Sequence, residues 1–460
     1  MFNQISPKKN KETKRKSIFK ALFIPLFFIM IIQAITFFCS AVFGGTIGTL
    51  EKNAGDILNQ TLINRKNELE SMFTKTWTNL SSVETKLSDI YSFYIQMYGE
   101  KPLVEQSQAQ IDFLSDTIPD LINTLRGTGV NGIFLILNDD IAPSEFHSSG
   151  EEKKGLCIRV TDQTSNSDVR EDLLVVRAPS SLIPVLGFPM DSWWEPRYTF
   201  KSKEEGDFFY KPLQAAWDNP ESSGKNLAYF QGSHNFSKED PSVISYSIPL
   251  RGKDGFPYAI LGVELTTKYL GTLMPSDELG HNNKACYVLA LSNYNYDVFT
   301  PIVGTGAFYN RYFIKDENIL TEEESSINGI TTKGRDGSSL LGKKAQLLIY
   351  NNNNPFENGR LTLLSFVDKN ELFSYVKKIV QTLTFVTIVS LVIGLLGIVL
   401  VSRHFSEPIT NLSNRVQTLP PKDGFTLGRL GITEIDQLVE SIENLNRNAS
   451  RNTARRNERI

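Results

Sequence analysis

Cysteine and histidine are scarce in this chain, with three of the first and four of the second among 460 residues. Cys39, Cys157 and Cys286 are too few for a disulfide framework, although a single bridge between Cys157 and Cys286 stands open beside two free thiols. His147, His234, His281 and His404 are scattered, and no Cys or His pair has the spacing of metal ligands, so neither metal nor cofactor is expected. Catalytic signatures are missing as well. The chain has no Gly-Lys-Ser/Thr phosphate loop, no His-Glu-x-x-His, no Gly-x-Ser-x-Gly and no Gly-Gly-acid-Glu-Phe run. A lone Gly-x-Gly at Gly304 and Gly306 reads as a turn, and Glu322 to Glu324 as a solvated loop or helix start. These residues predict no enzyme.

Nor does the whole chain lean to one charge, with 48 Lys and Arg against 51 Asp and Glu. The balance hides a segregation. Residues 1–20 carry seven basic groups and one acid, residues 403–460 carry nine and seven, and the middle carries 32 and 43, a net of −11. Two uncharged runs of 23 residues, 21–43 and 379–401, separate these parts. Each reaches about 35 Å as a helix, enough for a hydrocarbon layer of about 30 Å. The first is too long for the apolar core of a signal peptide and has no small-x-small cleavage site, so it predicts a retained anchor. A basic start and an acidic middle predict a two-span protein of the cell membrane, with both termini cytoplasmic and the middle exported. They do not predict a nucleic-acid binder.

Residues 46–98 contain no proline, and Leu69, Phe73, Trp77, Leu80, Val83, Leu87, Ile90 and Tyr94 advance by threes and fours. This predicts a long helix whose seam serves partly for dimerisation and partly as a backing for the domain beyond. From Gly132 the pattern changes to short β runs, GIFLILN, GLCIRVT and DLLVVRA. SVISYSIPL and FPYAILGVEL flank Asp254-Gly255, a strong hairpin signal, and the helical TTKYLGTLM follows. AQLLIY, a loop with Asn358-Gly359, RLTLLSFV and a helix from Asp368 repeat the order. The expectation is an α+β fold with two lobes, a distal one over residues 100–270 and a membrane-proximal one over 280–370.

After the second apolar run, Ile409, Leu412, Val416 and Leu419 are spaced three, four, three, and Ile435, Leu438, Ile442 and Leu445 repeat that spacing. Two short helices with such seams want a parallel partner. EPITNLSNRVQTL, the connector rich in Pro and Gly, and TEIDQLVESIENLN resemble a HAMP domain, the four-helix relay formed by dimers of bacterial membrane receptors. Pro408, the pair Glu434 and Ile435, and Asn446 carry the match, while Asp436 stands where a glycine is common. The resemblance implies a HAMP relay over 403–447 followed by a polar tail over 448–460. An amphipathic hairpin lying on the membrane is the other reading of these helices.

The long helix, two lobes and return to the membrane resemble the double Cache sensors of bacterial receptors. DFFYKPLQAA is similar to their aromatic-pair loop and YSIPLRGKDGFPYAILGVEL to their closing hairpin, with Glu264 as its acidic residue. The resemblance implies PAS-like Cache lobes and a small extracellular ligand in the distal lobe. Trp193, Trp194 and Trp217 fall close together with Arg197, Tyr198 and Tyr210, and Tyr229 and Tyr246 follow on strands. An aromatic-walled hollow with a few polar groups suits a small molecule. The candidate ligand residues are therefore Trp193, Trp194, Arg197, Tyr210, Trp217, Tyr229 and Tyr246, although clustered aromatics also build ordinary cores. Gly206 and Asp207 stand near the place of the arginine that grips amino acids in the family, with Arg197 as a substitute and no later Asp aligning, so an amino acid is not the favoured ligand.

The expected function is a homodimeric receptor, seated in membrane lipid, that relays ligand binding through the second span to the HAMP pair. Two alternatives remain. One is the sensory part of a diguanylate cyclase or histidine kinase whose output domain, or cytoplasmic output partner, lies outside these residues. The other is an adaptor that binds another protein.

Overall fold

The computed structural model describes residues 18–145, 151–161, 170–200, 202, 204–236, 240–280, 284–314, 317–351, 353–356, 360–418 and 433–457. The basic tail before Ile18, the Asn358-Gly359 turn and the 420–431 connector lie outside them. The chain forms two compact units, one of residues 50–374 and one of the residues up to 49 with those from 375 onward.

Helix α1 (Ile18–Phe43) contains the first uncharged run, and α2 (Thr46–Tyr98) follows with 53 residues. The apolar stripe of α2 is buried: Leu58, Leu62, Leu69, Phe73, Leu80, Val83, Leu87, Tyr91 and Tyr94 all sit in the core of the unit of residues 50–374. The seam expected to serve dimerisation in part is thus occupied within the chain at each of its buried positions. Among the described side chains, the outer side of α2 is polar apart from Ile57, Phe93 and Met97, which are exposed.

The distal lobe adds α3 (Pro102–Glu105), α4 (Ser107–Thr128), β1 (Gly132–Leu137), β2 (Glu151–Lys153), β3 (Gly155–Val160), β4 (Leu173–Arg177), α5 (Ile183–Leu186), β5 (Met190–Glu195), β6 (Tyr198–Phe200), α6 (Asp207–Asp218), β7 (Tyr229–His234), β8 (Val243–Arg251), β9 (Pro257–Thr266) and α7 (Thr267–Thr272). Seven strands pair in the order β5-β4-β3-β1-β9-β8-β7, and β2 pairs separately with β6. One face packs on α2 and α4 through Ile133, Leu135, Ile158, Leu261, Val263 and Tyr246. The other packs under α6 through Phe134, Ile136, Cys157 and Ile260. With both faces covered, every residue of β1 is buried, which explains a continuous apolar run instead of alternation. The β8–β9 turn is the expected one, with Gly255 at φ +81° and the Asp254 carboxylate accepting from the Phe256 amide at 3.1 Å.

The membrane-proximal lobe holds β10 (Ala285–Ser292), β11 (Val298–Gly304), α8 (Gly306–Tyr312), β12 (Ile319–Leu320), β13 (Glu322–Glu324), β14 (Gly329–Lys333), β15 (Ser339–Gln346) and β16 (Leu361–Asp368). Their order is β12-β11-β10-β16-β15-β14-β13. Strands β3-β1-β9-β8-β7 of the distal sheet and β11-β10-β16-β15-β14 of this one therefore share one arrangement, second-first-fifth-fourth-third in chain order. Two local expectations change. Glu322 to Glu324 form an edge strand, and the fourth strand is SLLGKKAQ, so Leu347 to Tyr350 leave the sheet. Only Thr321 separates the two outermost strands β12 and β13, so the sheet curls until its edges meet, and Thr332 Oγ1 on β14 donates to the Leu320 carbonyl at 2.6 Å.

Asp368 caps the short helix α9 (Lys369–Leu372), accepting from the Asn370 and Glu371 amides at 2.7 and 3.2 Å. Helix α10 (Ser374–Thr418) then runs 45 residues straight through Pro408, with no break after the apolar stretch. Both α1 and α10 are long and apolar enough to cross a membrane. A Cβ on Gly394 would lie 2.5 Å from the Met30 sulfur, so glycine lets these two helices approach closely. Helix α11 (Thr433–Asn457) continues well past Arg447. Leu412 and Val439 are buried together with Val416 and Ile442 beside them, whereas Leu438 and Leu445 are 53% and 70% exposed.

Replacing Leu80 by alanine should lower the stability of the unit of residues 50–374 by about 2–5 kcal/mol, the usual range for a buried leucine. Thr78→Ala, on the exposed side of α2, should stay within about 0.5 kcal/mol. Chemical denaturation midpoints read both, and equal effects would contradict the inward seam.

Candidate functional site

Strand register places Arg159 on β3, Gly132 on β1, Glu264 on β9 and Ser245 on β8 side by side on the α6 face. The Glu264 carboxylate lies over Gly132, where any Cβ would come within 2.5 Å of its Oε1. Arg159 Nε donates to that same Oε1 at 2.5 Å, and its Nη1 is 3.8 Å from Asp191 on β5. Beside Cys157 stands Arg177 of β4, whose Nη2 donates to Asp240 at 2.7 Å and lies 3.4 Å from Glu195. Its Nη1 donates to the carbonyls of Val176 and Trp193. Arg177, Asp240 and Glu264 side chains are fully buried, and Arg159 nearly so.

Aromatic rings close around these charges. Phe134, Phe208 and Phe236 meet edge to face at 5.2–5.8 Å, His234 stacks on Phe208 at 5.1 Å, and Tyr198 meets Phe236 at 5.6 Å. Burial pushes the Asp240 carboxyl up against the opposing pull of Arg177 and Arg159. Burial works against charge on Arg159 too, but Glu264 outweighs it and holds the guanidinium firmly protonated. The His234 imidazole is pushed down by burial, with Nδ1 2.9 Å from the Gly232 carbonyl.

Two cations and two anions under a helix are expensive to bury, and each must find partners. Here the pairing is incomplete. Arg159 Nη2, Arg177 Nε, Asp240 Oδ1, Glu264 Oε2 and His234 Nε2 are buried without a hydrogen-bond partner among the described residues. Unmet donors and acceptors of both signs on one face are what a molecule carrying both charges would satisfy.

The seven aromatic and basic residues singled out from the sequence do not gather at one place. Trp193 and Trp194 are on β5. Trp193 is 47% exposed, while Trp194 packs toward the α2 side with its Nε1 buried and without a hydrogen-bond partner among the described residues. Arg197 is exposed and pairs with Glu152 of β2 at 2.6 Å. Tyr210 is buried in the α6 cluster, and Trp217 touches that cluster, the α2 core and Phe256. Tyr229 accepts from Lys211 of α6 at 2.9 Å. Tyr246 pairs with Phe230, one residue out of phase with the Tyr229–Ser247 pair, so it faces the α2 core on the opposite side. Arg159, Arg177, Asp240 and His234 went unrecognised. Arg159 in GLCIRV and Arg177 in LLVVR carried a signal, since each is a lone charge inside an apolar strand. Asp240 carried none.

The matching face of the second sheet, under α8, is filled by Cys286, Val288, Phe299, Phe308, Leu364 and Phe366, with no buried charge among the described residues. A cleft of about 790 Å³ does open at that lobe between β12, β14 and α8. Of its charged groups, Asp297, Glu317, Glu322, Lys333 and Arg335 are exposed and Glu324 is half-buried, which makes the buried distal cluster the better candidate.

No protein-family model and no curated protein match this chain. Among solved structures, it is similar to the periplasmic sensory domain of the Campylobacter jejuni chemoreceptor Tlp1, at 12% identity over 70% of this chain and 98% of that one, with a TM-score of 0.37. It is similar to an extracellular domain assigned to a histidine kinase, mmHK1S-Z3, at 11% identity over 70% and 98%, with a TM-score of 0.36. The ligand-binding domain of Mlp24 with asparagine is alike at 11% identity over 71% and 99%, with a TM-score of 0.36. These neighbours are sensory or ligand-binding domains. Identities this low and TM-scores below 0.5 say nothing about ligand or output here.

Replacing Arg177 by methionine leaves Asp240 buried and unpaired, and stability should fall by about 3–5 kcal/mol. Adding Asp240→Leu should recover a large part of that loss in the same denaturation assay, and no recovery would mean the pair is not coupled. Because the folded state lowers the His234 pKa, its contribution is present above about 6.5, the ordinary imidazole value, and is lost as pH falls toward the depressed native value. His234→Gln should therefore flatten the stability loss in that window, and an unchanged slope would place the protonation elsewhere.

Proposed function

We propose that this chain is a membrane receptor whose distal lobe, a Cache-type sensor, binds a small molecule bearing both charges, an amino acid being the simplest. The observation that supports this reading is the set of buried charges of both signs under α6, three of them on strands and Asp240 on the stretch after β7, left with unmet hydrogen bonds. A ligand carboxylate takes the free edges of the Arg159 and Arg177 guanidiniums, and a ligand ammonium takes the free oxygens of Asp240 and Glu264. Each ligand charge replaces part of an existing pair, so no new charge is buried alone. His234, neutral through burial, adds an acceptor for a ligand N–H or O–H.

Binding acts on the rest of the molecule only through different affinity for two packings of the lobe. The lobes lead through β16 and α9 into α10, which carries on past the apolar stretch to the segment that packs on α11. Leu438 and Leu445 remain exposed there one heptad apart, a spacing suited to a second copy in a HAMP-type four-helix bundle. In this reading both spans sit in the membrane with the lobes outside, and the chain works by binding and relay, not by catalysis.

Thermal unfolding of the full chain in lipid nanodiscs, with each of the 20 common L-amino acids in turn, tests the ligand class. A true ligand at a hundredfold excess over its Kd should stabilise the exported unit by about 2.7 kcal/mol. Arg159→Met should abolish that gain. Failure of every amino acid to shift the transition would overturn the reading.

A further inference from the structure

The distal sheet ends at β7, and an edge strand normally leaves every second N–H and C=O without a strand to pair with. Here side chains from the other lobe take their place. The buried Tyr350 hydroxyl accepts from the Phe230 amide at 2.8 Å, and Asn354 Nδ2 donates to the Ala228 carbonyl at 2.8 Å. Ala228 and Phe230 are two apart, so these are the outward groups an eighth strand would have used. Asn351 Nδ2 adds a bond to Asn226 Oδ1 at 2.7 Å. The segment that supplies these groups, residues 347–351 and 353–356, links β15 to β16. It is the stretch whose apolar letters mimic a strand, and Leu347, Ile349 and Tyr350 are buried in this joint.

The same segment also touches the roof of the charge cluster. Phe356 packs against Ala215 and Ala216 near the end of α6, and against Leu227, with its ring 4.9 Å from that of Tyr229. The start of α6 covers the cluster: Phe208 lies on Phe134, His234 and Phe236, and its carbonyl accepts from Ser247 Oγ at 2.5 Å. Arg251 fastens the far end of the helix by donating to the carbonyls of Ala216, Asn219, Pro220 and Ser222. A helix of 12 residues held at both ends moves as a rod, so a tilt begun over the cluster reaches Phe356.

We propose that residues 347–351 and 353–356 form a clasp through which α6 and β7 transmit the state of the charge cluster to β16, and from there along the chain into α10. It rests on the ligand reading given above and adds the route by which that site is read out. Side chains, not a backbone ladder, make the joint, so it can shift without unpairing either sheet. Its two sheet-edge bonds to Phe230 and Ala228 are each worth about 1 kcal/mol, a scale that a modest ligand energy can move.

Hydrogen exchange of the full chain in nanodiscs tests this without any ligand, using Glu264→Gln as the disturbance of the cluster. Exchange in α6 and in β16 should both speed up, by about fivefold, the equivalent of roughly 1 kcal/mol. In Glu264→Gln combined with Tyr350→Phe and Asn354→Ala, α6 should still respond while β16 returns to the rate of the clasp variant alone. Should the triple variant fold poorly, Tyr350→Phe with Glu264→Gln keeps the ring, and the β16 response should drop at least twofold. A β16 response of undiminished size with the clasp altered, or no β16 response to Glu264→Gln in the native clasp, overturns the proposal. An amino-acid screen that finds no ligand while β16 still follows the cluster through the clasp would sink the ligand reading and leave the clasp standing. Ligand stabilisation without that coupling would do the reverse.

Discussion

Charge buried on a sheet face has to be matched where it stands, and the pairs Arg159–Glu264 and Arg177–Asp240 impose that demand on the distal lobe. Meeting it draws elements from distant parts of the chain to one place. β3, β4 and β9 supply three of the charges, the stretch after β7 supplies Asp240, and β5 adds Asp191 and Glu195. Gly132 exists in this setting to leave room for a carboxylate, and Gly262 to leave room for the Phe134 ring. An apolar core of the same volume would cost less, so the charges are poorly explained by stability alone. Their retention under a helix, with capacity to spare, is better explained by something that comes and goes.

The two lobes share an arrangement of strands and differ in what fills it. Under α6 lie ions and rings, and under α8 lie apolar and aromatic side chains with no buried charge among the described residues. One scaffold thus encloses a charge cluster in one lobe and an apolar core in the other. Layout settles where such sites can form, and the side chains in the pleat settle whether one does.

Much of this was readable from the letters. Uniformly apolar runs, an Asp-Gly turn and a stripe repeating every three or four residues each report a local rule, and α1, α2, α10 and the β8–β9 hairpin follow those rules. The failures arise where burial is decided by a neighbour distant in sequence. LLIY has strand letters, yet Leu347, Ile349 and Tyr350 are buried at the joint with the other lobe while Leu348 is exposed. Tyr246 looks like a pocket wall until the register with Phe230 turns it to the other face. Arg159 and Arg177 were visible as misfits in apolar strands, but only the fold shows that both misfits share a face. Asp240 lies among polar residues and gains meaning solely from Arg177.

The curl that brings β12 next to β13 has a further effect on how these molecules behave in a crowd. Sheets polymerise through outer strands that present a long free backbone, and short or covered ones resist it. In the membrane-proximal sheet the two outer strands span two and three residues and close on each other. In the distal sheet β7 is covered by Tyr350 and Asn354. Of the two seven-stranded sheets, that leaves β5, with Met190 and Trp193 in the open, as the outer strand through which aggregation of tightly packed copies would begin.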